Sequence, residues 1–499
     1  MHDVVVIGAG HNALVAACYL AREGLDVVVV ERDTVVGGAC STVERWPGYR
    51  VDRGSSLHVM VRFTGIVEEL ELDVRYLDLD PWAVIPHRDG GHVELSRSLD
   101  KTCASIEATA GKADALAYRR FVDEWSPRSE RVMRAFCSPP TARGLGQALW
   151  RLGDRRKGIA TARDFLQPAD ALLDKHFEDE QLKAGLAWLS AQSGPPTHEP
   201  GTAPMLGFWA LLHTRSPGRP VGGSGELSAS LARKLAQLGG ELRLGQAATR
   251  IETDGVRVRG VRLADGELIE ARAVLSGTHA VVTARLLGDE SAANDIRVGD
   301  GIGIPVRIAS RAAVTQPAAA MQLLVRDRLQ LHRAYGDFLA QRVPDDPPLL
   351  VMPHSAFDDT LAPAGRHLTT AWAQWHHFDA PFDKEAVIAG VLAQLDAHSP
   401  GFTASVEHVM VQSPQDLQDE LGLLRGNVMH VEMGLDSMFA LRPLPGWSTY
   451  RAPVPGVYLC GASTHPGGGV FGASGRSAAA AVLRDRQRAR RRGALRRTT

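Results

Sequence analysis

The stretch "VIGAGHNALVAACYLAREGLDVVVVERD", residues 6–33, decides the fold of this chain. An apolar run ends in a glycine-rich turn, an alanine- and leucine-rich stretch follows, and a run of valines then ends in an acidic residue. This pattern predicts a strand over residues 3–7, a helix over 12–23 and a second strand that ends at Glu31. Strand, glycine turn, helix and strand in this order are typical of half a Rossmann unit, which binds a dinucleotide.

The residues of the turn suit such a ligand. Gly8 permits the tight turn, Gly10 lets the backbone approach a pyrophosphate, and Ala13 is small enough for the helix to pack closely on the strand. The free N–H groups at the start of the helix would bind the phosphates. Glu31 would accept hydrogen bonds from both hydroxyls of an adenosine ribose and would repel a 2'-phosphate.

A second glycine pair follows in "RDTVVGGACST", residues 32–42. Gly37 and Gly38 allow the main chain to approach a ligand where a Cβ atom would clash. A nicotinamide cofactor does not need this second loop, whereas FAD extends further along the crevice and does. The sequence contains no second nucleotide fingerprint, so we predict FAD as the single redox dinucleotide.

Composition limits the class of protein and its partners. The chain has 499 residues, 44% of them hydrophobic, and a formal net charge of −1, which predicts a globular protein with no general attraction to nucleic acid. The five cysteines form no closely spaced pair, so neither a disulfide framework nor a redox dithiol is indicated. No long uncharged apolar run is present, and we predict a cytoplasmic protein. The arginine-rich residues 484–497 predict either a solvated tail or a peripheral contact with anionic lipid.

A second informative stretch is "VPGVYLCGASTHPGGGVFGASGRSAAAAVL", residues 454–483. It predicts a strand over 457–460, a glycine-dense loop over 461–472 and a helix from about Ser474. Many glycines in one loop allow backbone to lie flat against a planar ring. The N-terminus of the following helix would place partial positive charge near the pyrimidine edge of a flavin, which favours acceptance of hydride.

The order of these segments predicts an α/β fold with a discontinuous Rossmann-type FAD-binding domain. Rossmann-like texture returns after a long helical stretch, with a glycine turn and a helix over about 226–238. We therefore assign residues 1–75, 216–285 and 430–490 to the FAD-binding domain. Residues 76–215 and 286–429 would form an inserted mixed-sheet substrate domain with a helical cap, and 491–499 a basic tail.

These motifs together resemble those of the bacterial-type phytoene desaturases, within the wider fold of FAD-dependent amine oxidoreductases. Residues 7–39 and 442–470 are most similar to the phytoene-dehydrogenase-like subgroup that contains pyridine nucleotide-disulfide oxidoreductase domain-containing protein 2. The resemblance implies that FAD contacts Gly8, Gly10, His11, Asn12, Ala13, Glu31, Arg32, Gly37, Gly38, Ala39, Ala248, Gly461, Gly467, Gly468, Gly469 and Val470. The subgroup usually has Gly in place of Ala13 and Val in place of Ala248, which leaves FAD binding possible. It also has Pro near Ser474, and this departure leaves the substrate open.

The implied reaction is transfer of hydride from a small, apolar organic substrate to flavin N5, as in a dehydrogenase or desaturase. His465, in the glycine loop, and His58 are the candidate proton acceptors, although each also suits a structural role. An amine oxidase, a reduced-flavin isomerase and a flavin-binding partner protein without turnover remain as alternatives. His376 and His377 are adjacent, which on a strand points them to opposite faces, so no metal site is predicted. The sequence does not indicate an oligomeric state.

Overall fold

The computed structural model describes residues 1–87, 90–141, 143–145, 158–314 and 320–495. The strands in these residues are β1 (His2–Ile7), β2 (Val27–Val30), β3 (Thr42–Trp46), β4 (Tyr49–Asp52), β5 (Tyr76–Asp78), β6 (Ala83–Pro86), β7 (His92–Leu95), β8 (Gly218–Pro220), β9 (Glu241–Arg243), β10 (Ala248–Thr253), β11 (Val258–Leu263), β12 (Leu268–Ser276), β13 (Gly303–Ser310), β14 (Met321–Leu324), β15 (Leu349–Pro353), β16 (His367–Gln374), β17 (Val406–Val411) and β18 (Val457–Leu459).

The α-helices of the same residues alternate with the strands at both ends of the chain and cluster in its middle. They are α1 (His11–Arg22), α2 (Ile66–Glu69), α3 (Leu99–Ala110), α4 (Lys112–Phe136), α5 (Gly158–Leu166), α6 (Ala169–His176), α7 (Glu180–Ser190), α8 (Ala203–Phe208), α9 (Gly225–Gln237), α10 (Ala280–Leu286), α11 (Glu290–Asp295), α12 (Arg328–Leu339), α13 (His354–Phe357), α14 (Lys384–His398), α15 (Pro414–Leu421) and α16 (Ala473–Leu495).

One seven-stranded sheet has the order β10-β11-β12-β1-β2-β9, and β18 also pairs with β12. Its strands β9, β2, β1, β12 and β18 pair in parallel. Ile7 lies opposite both Val30 and Ser276, so β1, β2 and β12 end at the same edge of the sheet. In open parallel sheets this edge is where ligands bind, and the glycine turn after β1 lies there.

Helix α1 is buried between the sheet and two other helices, α9 and α16. Its apolar residues Leu14 and Leu20 are fully buried, because a helix that is apolar on most faces must be covered on most faces. The approach of α16 is close: a Cβ atom on Gly475 would lie 2.0 Å from the carbonyl oxygen of Asn12. Glycine at that position therefore lets the last helix fix the first one over the sheet.

A second seven-stranded sheet has the order β17-β13-β16-β15-β14-β6-β7. It is mixed, since β6 and β14 pair in parallel and the other neighbours are antiparallel. Helices between α3 and α8 cover one face around Trp125 and Trp188. Helix α14 covers the other face, where Val391 and Leu395 pack on β13. The predicted fold class, with its inserted mixed sheet and helical cap, is confirmed.

The helices begin and end near the predicted positions, with two informative differences. Apolar residues recur at helical spacing over residues 170–192, which predicts one helix, but the structure interrupts it between α6 and α7, where the Asp179 side chain accepts a hydrogen bond from Leu182 N at 2.6 Å and begins a new helix. Helix α16 continues to Leu495, so much of the predicted tail is helical. Arg486 on this helix forms an ion pair with Asp3 at 3.0 Å.

Pairing also crosses a predicted domain boundary. Strand β5, assigned from sequence to the substrate domain, pairs with β8, assigned to the FAD-binding domain. Within the described residues, none of the helices is long and apolar enough to cross a membrane. Contact of the arginine-rich helix end with lipid stays a prediction.

Candidate cofactor and active site

A cavity of about 390 Å³ lies at the carboxyl ends of β1, β2 and β12. Residues from distant parts of the chain converge on it, because neighbouring parallel strands end at one edge. Of the residues predicted to bind the cofactor, those that line the cavity are Gly8, Gly10, His11, Asn12, Ala13, Glu31, Arg32, Gly37, Gly38, Ala39, Ala248 and Gly461. Gly467, Gly468, Gly469 and Val470 are not among its lining residues.

The start of α1 faces this cavity with unused backbone donors. The first helical hydrogen bond runs from Leu14 N to the Gly10 carbonyl at 3.0 Å, and no side chain caps the helix. The N–H groups of His11, Asn12 and Ala13 therefore have no helical acceptor. A Cβ atom on Gly10 would meet no atom within 4 Å, so space is open in front of these donors. The arrangement is suited to a phosphate group.

The second glycine loop packs directly on the first. Gly37 donates its N–H to the carbonyl of Ala9 at 2.8 Å and has a φ of +108°, which is accessible to glycine but strained for other residues. A Cβ atom at Gly37 would lie 2.1 Å from the carbonyl oxygen of Cys40. The tight turn of the second loop thus requires glycine here.

Glu31 links the glycine turn to the end of β2. One carboxylate oxygen accepts a hydrogen bond from the Ala9 N–H at 2.6 Å, and the other accepts one from the Asp33 N–H at 2.9 Å. The sequence predicted only a contact with ribose. The structure adds a second role, since the carboxylate holds the backbone of the turn in place.

Buried polar atoms without a hydrogen-bond partner surround the cavity in the part of the chain that the structure describes. They are His11 Nε2, Asn12 Oδ1, Gln246 Oε1, His279 Nε2 and His430 Nδ1. Buried polar atoms in proteins nearly always have partners, so these atoms indicate a polar ligand. Phosphate oxygens, ribose hydroxyls and adenine nitrogens supply both the donors and the acceptors required, and the residues therefore fit FAD.

Sequence analysis missed Gln246, His279 and His430. Gln246 lies two residues before the predicted contact Ala248, and His279 lies three residues beyond the end of β12. Burial lowers the pKa of His279 to about 4 and likewise that of His11 to about 4, so both imidazoles are neutral at pH 7 without the ligand. The only available signal was position, since both Gln246 and His279 follow strands of the parallel sheet.

The glycine loop predicted to face the flavin ring lies against apolar side chains and the buried guanidinium of Arg442. A Cβ atom on Gly467 would lie 3.2 Å from Met433 Sδ, and one on Gly468 would lie 2.9 Å from Met429 Sδ. On Gly469 it would lie 3.4 Å from Met60 Cγ. Phe471 and Phe136 extend this apolar cluster.

His465 is fully buried behind the same loop. Its Nε2 lies 3.0 Å from the Ala135 carbonyl, and its ring lies against Phe136 and Phe439. Burial lowers the pKa of His465 to about 4. Its Nδ1 has no partner among the described residues. His465 does not line the cavity, and its catalytic role stays a prediction.

His58 lies behind the second glycine loop in a buried polar network. Its Nδ1 is 2.8 Å from the Tyr76 hydroxyl, and its Nε2 is 2.9 Å from the Ser224 hydroxyl and 3.6 Å from Cys40 Sγ. Burial lowers the pKa of His58 to about 3. It also does not line the cavity, so its catalytic role likewise stays a prediction.

The assumption that His376 and His377 lie on a strand, from which no metal site was predicted, is wrong. Strand β16 ends at Gln374, so the two histidines lie beyond it and do not alternate across a sheet. His377 instead lies near Asp300 and Asp379, a combination with possible metal-ligating atoms. The guanidinium of Arg425 forms hydrogen bonds with both carboxylates and supplies the positive charge there.

Comparison with known proteins identifies the family of this chain. The sequence pattern of the family "Flavin containing amine oxidoreductase" matches residues 14–483. The mouse pyridine nucleotide-disulfide oxidoreductase domain-containing protein 2 is 31% identical, over 97% of this chain and 94% of that protein. An all-trans-zeta-carotene desaturase of Myxococcus xanthus is 27% identical, over 94% of this chain and 91% of that protein. The structure of cyclohexylamine oxidase from Brevibacterium oxydans has a TM-score of 0.58 at 16% identity, covering 97% of this chain and 99% of that one, and shows the same fold.

Fold, cavity and matches together define an FAD-dependent oxidoreductase. The predicted cofactor and enzyme class are thereby confirmed. The chain belongs to the flavin-containing amine oxidoreductase family, and its similarity to the mouse protein confirms the predicted subgroup.

Proposed function

We propose that the protein is a dehydrogenase or desaturase that oxidises a small, apolar organic substrate. Bound FAD supplies the acceptor for a hydride taken from a substrate carbon. The protein itself must bind the cofactor, orient the substrate and exclude water from the site of transfer.

The cavity residues divide these tasks for the cofactor. The start of α1, with Gly8 and Gly10, would hold the pyrophosphate, and Glu31 would hold the adenosine ribose. Gly461 lines the cavity and precedes the loop over 467–470 in the chain, so the remaining part of the cofactor would extend from Gly461 towards that loop. The reacting ring would then lie beside the apolar cluster.

The observation that carries the proposal is the chemistry of the side chains around the 467–470 loop. Met60, Met429, Met433 and the ring of Phe471 lie against it, and a Cβ atom on Gly467 would also lie 3.5 Å from the guanidinium of Arg442. Such side chains favour a substrate without charge, because burial of an unpaired ammonium group among them would be costly. They also exclude water, which would compete for the polar groups of the cofactor.

The names of relatives support the same substrate class. The Myxococcus xanthus relative is a zeta-carotene desaturase, and a Neurospora crassa relative that is 24% identical is a phytoene desaturase. The amine oxidases among similar structures are less than 20% identical and support the fold alone.

The test is anaerobic mixing of the purified flavoprotein with two substrate panels, apolar polyenes and primary amines, while the absorbance of the flavin is followed. Bleaching by a polyene and not by amines is expected, and the same protein stripped of FAD is the control.

Each other outcome contradicts the proposal in a different way. Bleaching by amines alone would show an amine oxidase. Conversion of substrate without net bleaching would indicate a reduced-flavin isomerase. Absence of any reaction across both panels would favour a flavin-binding partner protein.

A further inference from the structure

His279 occupies a position next to the glycine turn, although it is distant in sequence. It follows the carboxyl end of β12, the strand that pairs with β1. Gly277, two residues earlier, packs against the turn: a Cβ atom on Gly277 would lie 2.6 Å from Ala13 Cβ and 3.2 Å from the Ile7 carbonyl oxygen. The segment that carries His279 is therefore fixed against the part of the chain that would bind phosphate.

The structure determines which ring nitrogen of His279 carries the hydrogen. Nδ1 accepts a hydrogen bond from Val281 N at 3.2 Å and so caps the start of α10. A neutral imidazole that accepts at Nδ1 must carry its hydrogen on Nε2. The side chain is 4% exposed and lines the cavity, and its Nε2 has no partner in the described residues. A residue that lines the cavity thus carries a buried N–H donor with no acceptor at hydrogen-bond geometry among the described residues.

A neighbouring ring holds this donor in place. The imidazole of His430 stacks on that of His279 with ring centroids 5.6 Å apart and planes inclined by 17°. His430 itself has a φ of +68°, a backbone conformation rare outside glycine, and its N–H bonds to the Asn427 carbonyl at 3.0 Å. The stacking of His430 on one face of the His279 ring and the hydrogen bond at Nδ1 fix the orientation of that ring. The direction of its Nε2–H bond is thereby fixed as well.

We propose that His279 Nε2–H donates a hydrogen bond to the pyrophosphate of the bound dinucleotide, and that His430 orients it by stacking. The inference rests on the proposed placement of FAD along the cavity. An anionic oxygen is the acceptor best matched to a fixed donor beside a free helix N-terminus. His279 would thus be a cofactor-binding residue outside the glycine motifs.

The test compares ligands that differ in phosphate. ADP contains the pyrophosphate of FAD and adenosine lacks it, so calorimetric titration of the full-length protein stripped of FAD separates the two parts of the site. In His279→Asn the shorter side chain retains the cap on α10 but loses the donor at Nε2. ADP and FAD should bind about 10- to 100-fold more weakly to this variant, with adenosine affinity unchanged. His92→Asn, at a partly exposed position on β7, is the matched control.

A wild-type measurement covers the case in which the variant does not fold. In protein labelled with ¹⁵N at histidine, a hydrogen-bonded Nε2–H resonance should arise on addition of ADP and not of adenosine. Equal loss of ADP and adenosine binding in the variant, unchanged ADP binding, or no such resonance would overturn the inference. These assays require no substrate, so a protein that binds FAD and oxidises nothing would contradict the proposed function alone.

Discussion

Replacement of Glu31 by alanine should weaken cofactor binding and loosen the glycine turn at the same time. The carboxylate accepts hydrogen bonds from the Ala9 N–H at 2.6 Å and the Asp33 N–H at 2.9 Å, and Ala9 is fully buried. In Glu31→Ala the buried Ala9 donor loses its acceptor, which costs about 1–3 kcal/mol of folding stability. Loss of the proposed hydrogen bonds to ribose reduces the free energy of FAD binding by roughly 1.5–3 kcal/mol. This corresponds to a Kd for FAD that is about 10- to 150-fold higher.

Two measurements separate these effects. Quenching of flavin fluorescence gives the Kd for FAD, and hydrogen exchange gives the protection of the Ala9 amide. Glu31→Gln keeps one acceptor oxygen and should fall between wild type and Glu31→Ala in both. Glu23→Ala, at an exposed position after α1, is the control. If Glu31→Ala retains wild-type affinity for FAD and wild-type protection at Ala9, the reasoning about this carboxylate is refuted.

Three further predictions concern packing, pH and the flavin loop. Gly475→Val should destabilise the protein by about 1–3 kcal/mol in thermal unfolding, because the valine side chain would meet the Asn12 carbonyl. Gly336→Ala, where a Cβ atom meets nothing within 4 Å, should not destabilise it. Equal unfolding midpoints for the two variants would contradict this. His58 has a pKa of about 3 in the folded state against 6.5 in the unfolded state, so the unfolded state takes up a proton and the stability of the protein falls as the pH drops below 6.5. His58→Gln should reduce this loss by up to about 1.4 kcal/mol per pH unit in urea unfolding. Identical pH profiles of stability for the variant and the wild type would show the assignment to be wrong. Gly469→Leu, at a φ of +112°, should displace the flavin ring and alter its visible spectrum, and a normal spectrum with normal activity would count against the loop's proposed place.

Local signals in the sequence were sufficient for the nucleotide-binding half of the fold. The valine runs and the glycine turn predicted a helix over 12–23, and α1 spans His11–Arg22. The later helix predicted over 226–238 is α9, Gly225–Gln237. In both places periodicity, turn residues and strand composition lie within one short window and agree with each other.

The remaining features depend on contacts between distant segments, which no single window contains. His279 reaches the cavity only because β12 pairs with β1, and no motif marks that pairing. The methionines against the 467–470 loop come from before and after β12, and glycine density says nothing about what packs on a loop. The break before α7 was readable, since Asp179 is a typical helix cap, but the apolar periodicity on both sides obscured it.

The strand order has a consequence for how the protein is made. Strand β1 ends at Ile7 and its partner β12 begins only at Leu268, so one edge of β1 has no neighbour while the intervening chain is synthesised. At elongation rates of about 5–20 residues per second this interval is on the order of tens of seconds, during which helix α1 lacks its final cover from α16. If the 467–470 loop contacts the flavin as predicted, the cofactor site is complete only after that segment has been synthesised.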